Sequence, residues 1–145
     1  MIKLKTIVLL FCSLFVAYLQ AGELGQVSAE QLLDMQQNQH ALVVDIRTDA
    51  EWNATGVIPN SQKLQSYDSE GRFDSAKWLT ELQKLKTSPD QPVILVCRSG
   101  NRSGKVGDFL ARQGMNQVYH LSKGIQSWIK DGRPVKNDES AVPKQ

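Results

Sequence analysis

Two short apolar runs, Ala41 to Ile46 and Val93 to Val96, lie between stretches whose apolar positions recur at helical spacing. Each run is rich in β-branched residues and too short for a helix, which predicts strands buried on both faces of a parallel sheet. Gln117 to Leu121 reads as a further strand and Lys63 to Gln65 as a minor one. Between them, Ser28 with Gln31 three residues on is a capping-box pattern that opens a helix over Val27 to Met35. A one-turn helix is expected over Asp49 to Asn53. From Asp74, the residues Trp78, Leu79, Leu82 and Leu85 trace one stripe of a longer helix. After Ser103, Val106, Phe109 and Leu110 predict another, stopped by Gly114. Ser122 to Ile129 reads as a loop and a short closing helix, and the tail beyond Val135 is polar and expected to fray. Strands alternating with helices give an α/β fold, an open parallel sheet with helices on both faces.

The amino terminus sets a boundary. Lys3 and Lys5 precede an apolar run from Thr6 to Leu19, and Gln20-Ala21-Gly22-Glu23 returns to small and polar residues, the three parts of a secretory signal peptide. The run is about 14 residues against the roughly 20 that span a bilayer, which favours removal over a retained anchor. The expected organisation is a signal peptide over 1–21, a folded domain over 22–136 and a polar tail over 137–145, with a periplasmic or secreted product that has no stable membrane association. A lipid anchor on Cys12 is disfavoured by the bulky Phe11 before it.

Cleavage would take Lys3, Lys5 and Cys12 away and leave 15 basic against 15 acidic residues. A near-neutral domain offers no basic patch for nucleic acid. Cys97 would then be the lone cysteine, without a disulfide partner. It ends the Val93 strand, just before the helix that starts near Ser103. Helix amino ends carry unpaired N–H groups and partial positive charge, which stabilise an anion such as a thiolate. Arg98 and Arg102 add charge, and Gly100 lets backbone amides turn inward. Against a reactive thiolate stands the ordinary role of a free cysteine as a small buried hydrophobe.

Asp45 ends the other buried strand on the same rim, where ligands of such sheets gather. Arg47 and Glu51 are four apart, which predicts an ion pair or a set of backbone hydrogen bonds pinning the segment. Trp52 is assigned to the core or a pocket wall. His40 and His120 have no partner at catalytic or metal spacing and are read as structural or exposed. No metal cluster, nucleotide-binding glycine pattern or repeat is visible, so no cofactor is expected.

Three blocks resemble the single-domain rhodanese family of thiosulfate sulfurtransferase-like proteins: Asp45-Ile-Arg47 with Glu51-Trp52, Cys97-Arg98-Ser99-Gly100-Asn101-Arg102-Ser103, and Leu121-Ser-Lys-Gly124-Ile-Gln-Ser-Trp128. The resemblance implies that Cys97 carries a persulfide in a cradle of backbone amides from Arg98 to Ser103. It also implies that Arg98 and Arg102 bind a small anionic sulfur donor, and that Asp45 and Arg47 organise the rim, with Arg47 paired to Glu51. The acceptor would be cyanide, a thiol or a thiol-bearing protein. Thr55-Gly56-Val57-Ile58 departs from the family's Gly-His-Ile, and Lys123 replaces the first of two glycines. Phosphatases of the same fold have five residues between cysteine and arginine, whereas Cys97 and Arg102 enclose four, and Ser103 lacks the guanidinium that clamps a phosphoryl group. A persulfide carrier or anion-binding module without turnover is the alternative from a different class.

Overall fold

The structure is a computed structural model that describes residues 22–137. The expected signal peptide and most of the polar tail lie outside the described residues. In chain order the elements are β1 (Leu24–Val27), α1 (Ala29–Asn38), β2 (Leu42–Asp45), α2 (Asp49–Thr55), β3 (Gln62–Lys63), α3 (Ser75–Leu85), β4 (Val93–Val96), α4 (Asn101–Arg112), β5 (Val118–Leu121) and α5 (Gly124–Lys130). The strands form one sheet in the order β1-β5-β4-β2-β3, and every pairing is parallel.

Strand alternation divides the core in two. Val43, Ile94, Val96 and Leu121 face α1 and α5, where they pack with Leu32, Met35, Ile125 and Trp128. Leu42, Val44, Val93, Leu95 and Cys97 face α3 and α4, where they meet Trp78, Leu82, Val106 and Leu110. Fully burying each of these aliphatic side chains contributes about 1.5–3 kcal/mol. Trp52 is also buried. β2 and β4 lie inside the sheet with all four residues of each buried, as their apolar runs require, and Asp45 at the end of β2 is buried with them.

The capping box of α1 forms as its sequence specifies, with Gln31 N–H donating to Ser28 Oγ and Ser28 N–H to Gln31 Oε1. Three expectations change. β1 is an additional edge strand beside β5, formed by a segment that carries a glycine and no apolar run. α4 begins at Asn101 rather than after Ser103, so Asn101, Arg102 and Ser103 form its first turn. The carboxyl end stays engaged one residue further than expected, because Lys136 pairs antiparallel with Val57, N–H to carbonyl in both directions. Among the described residues no helix is long and apolar enough to cross a membrane.

Candidate active site

Cys97 follows β4 directly, so the sheet delivers its side chain to the amino end of α4. The chain turns there because Gly100 adopts φ +97 as the N-cap of α4, a conformation costly for any residue with a Cβ. This turn aims two backbone donors at the sulfur. Gly100 N–H lies 3.1 Å and Ser103 N–H 3.4 Å from Cys97 Sγ, and the Ser103 hydroxyl is 3.3 Å away. With no acidic residue in the first turn of α4, its partial positive end is uncompensated by the helix itself. Cys97 is 1% exposed.

The first turn of α5 holds this loop from behind. Ile125 N–H donates to the Cys97 carbonyl at 2.9 Å and Gln126 N–H to the Arg98 carbonyl at 3.1 Å. That approach leaves no room for a side chain at Gly124, whose φ is +63 and whose added Cβ would lie 2.6 Å from the Cys97 carbonyl oxygen. Lys123 sits beside it at φ +61, a left-handed conformation that a lysine adopts at a cost.

Asp45, Arg47 and Glu51 converge below the rim, in a pairing different from the expected one. Arg47 does not pair with the Glu51 carboxylate. Its guanidinium is buried against Asp45, Nη2 to Oδ2 at 2.8 Å and Nε to Oδ1 at 2.9 Å. Its remaining donors go to Thr55 Oγ1 and the Gly56 carbonyl, both at 2.8 Å, and to the Glu51 backbone carbonyl at 3.4 Å. The backbone alternative is therefore the one realised: Arg47 ties the strand end to the end of α2. The physical reason lies in the helix start, since Thr48 is the N-cap of α2 and Arg47 precedes the helix surface on which residues four apart are neighbours.

Glu51 instead closes the capping box on Thr48 and receives Arg102, Nη1 to Oε2 at 2.8 Å and Nη2 to Oε1 at 2.6 Å. The Arg102 hydrogen bonds lower the carboxyl to a pKa of about 2, against opposing desolvation, with the Thr48 amide also lowering it. Arg102 is pushed above its ordinary value, chiefly by the Glu51 hydrogen bond, and Cys97 and Asp45 add to its stabilisation. The bidentate clasp fixes this guanidinium beside the thiol.

A cavity of about 540 Å³ opens over the loop, with Arg98, Arg102 and Lys105 from the loop and α4, and Thr48, Glu51 and Tyr67 among the other walls. Arg102 is committed to Glu51, and neither Arg98 nor Lys105 forms an ion pair among the described residues. Those two are the cations left for an anionic ligand. Lys105 was not singled out by sequence, and only its place one turn into α4 marks it. Ser99 and Asn101 are exposed at the loop surface, with no side-chain bond to the sulfur.

His120 differs from the reading that gave it no partner. It is buried on β5, and its Nδ1 lies 3.1 Å from Ser103 Oγ. The ring lies against Gly100 and Gly104, where Cβ atoms would make ordinary contact with its Cε1 at 3.9 and 3.6 Å. His40 is exposed before β2. Among the described residues no three His, Cys, Asp or Glu side chains are grouped to hold a metal ion.

Comparison with known proteins places this geometry in context. The family model of the rhodanese-like domain matches residues 28–131. A sulfurtransferase of Allochromatium vinosum is 30% identical over 77% of this chain and 94% of its own length. The thiosulfate sulfurtransferase GlpE of Pseudomonas putida (strain GB-1) is 29% identical over 74% of this chain and 86% of its own. Among solved structures, a rhodanese-related protein from Thermoplasma volcanium shares 27% identity, with a TM-score of 0.60 over 79% of this chain and 99% of that one.

Proposed function

Since the chain belongs to the rhodanese-like family, we propose that it transfers sulfane sulfur from thiosulfate, or a similar small anionic donor, to a thiol or cyanide through a persulfide on Cys97. The Cys97 thiolate attacks the outer sulfur of the donor, whose sulfur–sulfur bond breaks so that sulfite leaves with the electron pair. An acceptor nucleophile then attacks the outer sulfur of the persulfide, and the Cys97 thiolate is released again.

The observation that carries this reading is the inward pair of backbone donors on one sulfur, Gly100 N–H and Ser103 N–H. They stabilise negative charge on Sγ where it starts and where it returns, without reorganising during the reaction. Arg98 and Lys105 would draw the donor dianion into the cavity and leave the dissociating sulfite solvated at its mouth. The leader-like residues 1–21 support export and removal of that segment, which would place the reaction in the periplasm or outside the cell.

Thiocyanate formation from thiosulfate and cyanide by residues 22–145 tests the activity, with Cys97→Ser as the control. Turnover confined to the unsubstituted protein is expected. Stable sulfur loading without turnover would replace the enzyme by a carrier.

A further inference from the structure

Cys97 has a proton to lose and almost no surface through which to lose it. The residue is 1% exposed, and Ser103, which touches its sulfur, is fully buried. The Ser103 hydroxyl has three polar neighbours beyond its own chain neighbours: Cys97 Sγ at 3.3 Å, the Gly100 carbonyl at 3.3 Å and His120 Nδ1 at 3.1 Å. A hydroxyl has one proton to give, so the direction of that proton depends on who donates to the oxygen.

We propose that His120 is the proton acceptor for Cys97, acting through Ser103, so that β5 supplies a positioning residue to the active-site loop. In the resting thiol, Cys97 S–H donates to Ser103 Oγ and Ser103 O–H donates to an unprotonated Nδ1. On ionisation the S–H bond breaks, its electron pair stays on sulfur and its proton forms a new O–H bond at Ser103. The original Ser103 O–H bond breaks and its proton forms an N–H bond at His120 Nδ1. The products are a thiolate and an imidazolium. Nδ1–H then donates to Oγ, and the hydroxyl donates to the thiolate, so no group loses a partner in either state.

The surroundings of the ring fit this exchange. Burial holds His120 below the ordinary imidazole range, which keeps the ring neutral in the resting state, and Asp108 of α4 opposes that and favours the imidazolium. The flanking strands place Gln26 of β1 and Leu95 of β4 beside it in register, and Ser103 and Gly104 of α4 approach it, none of them charged. Cys97 is the remaining titratable group, reached through Ser103. The gain would be a thiolate formed beside its own counter-charge, without water entering the cradle.

The inference rests on the reading of Cys97 as a reacting thiolate, but its test uses no sulfur donor. The rate of Cys97 alkylation by iodoacetamide is followed from acid to alkaline pH in the wild type, His120→Asn and Ser103→Ala. Asparagine keeps a hydrogen-bonding atom near the place of Nδ1 and cannot take a proton. Two inflections are expected in the wild type, one when the pair forms and one when the imidazolium loses its proton, and a single inflection in each variant. In the folded wild type, NMR titration of the ring should show Nδ1 protonation persisting to higher pH with Cys97 free than with Cys97 alkylated. Equal midpoints, or a profile unchanged in His120→Asn, would overturn the relay. A second inflection kept in Ser103→Ala would also overturn it, since the two groups would then interact through space alone. A protein that shows the relay but forms no thiocyanate would fault the transferase reading and leave this one standing.

Discussion

Replacing Gly124 by alanine should damage the site from a position that touches no substrate. The residue adopts φ +63, and the new Cβ would press on the Arg98 carbonyl and lie 2.6 Å from the Cys97 carbonyl oxygen. Those two carbonyls are held by the amides of Ile125 and Gln126, so relief of the clash must move the loop away from α5. The left-handed conformation costs about 1–2 kcal/mol for a residue with a Cβ. Overpacking against rigid backbone adds about 1–3 kcal/mol. Gly114 is the internal control, because it has φ +84 with nothing within 4 Å of an added Cβ, and its substitution should cost only the conformational part. With about 4 °C of melting temperature per kcal/mol for a domain of this size, Gly124→Ala should lose about 8–20 °C and Gly114→Ala about 4–8 °C. Thermal unfolding, followed by the iodoacetamide rate at Cys97 in the folded state, reads both consequences. Equal melting losses in the two variants, with an unchanged alkylation rate in Gly124→Ala, would refute the idea that α5 clamps the loop.

Other consequences follow from the charges and from the left-handed backbone at Lys123. Arg98→Ala removes one of the two uncommitted cations of the cavity and should raise KM for thiosulfate about fivefold, about 1 kcal/mol, with little change in kcat and a reduced dependence on salt. Glu51→Gln should cost about 1.5 kcal/mol in urea unfolding at pH 6 by weakening the clasp on Arg102. Because the Glu51 carboxyl is lowered from 4.5 to about 2 in the folded protein, the stability it adds is complete above its unfolded value and is lost as pH falls through the interval between them. The gap between wild type and Glu51→Gln should therefore narrow from pH 5 toward pH 2, and a constant gap would contradict the ion pair. Lys123→Gly relieves a positive-φ lysine at +61 and should raise stability by up to about 1 kcal/mol by the same unfolding measurement.

Local rules carried much of this structure. The capping box at Ser28, the aspartate cap before α3 and the Val93–Val96 run into Cys97 each stand where short-range chemistry puts them. β1 escaped notice because its four residues include a glycine and its stability comes from the ladder with β5, nearly the whole chain away. The Glu51–Arg102 clasp was equally hidden, joining residues that only the β2–β4 pairing brings together. A local sign did exist, since Thr48 with Glu51 three residues on is itself a capping-box pattern that places Arg47 outside the helix. His120 offered no such sign. Its partner arrives through a neighbouring strand and a helix start, which meet only in three dimensions.

The most direct test of a sulfur-carrying Cys97 is intact-mass analysis of residues 22–145 after incubation with thiosulfate, beside Cys97→Ser. One added sulfur atom is expected on the unsubstituted protein, absent from the variant and discharged by cyanide as thiocyanate forms. An unchanged mass together with hydrolysis of an aryl phosphate would contradict the account, because the loop from Cys97 to Arg102 would then hold a phosphoryl group where a single sulfur is expected.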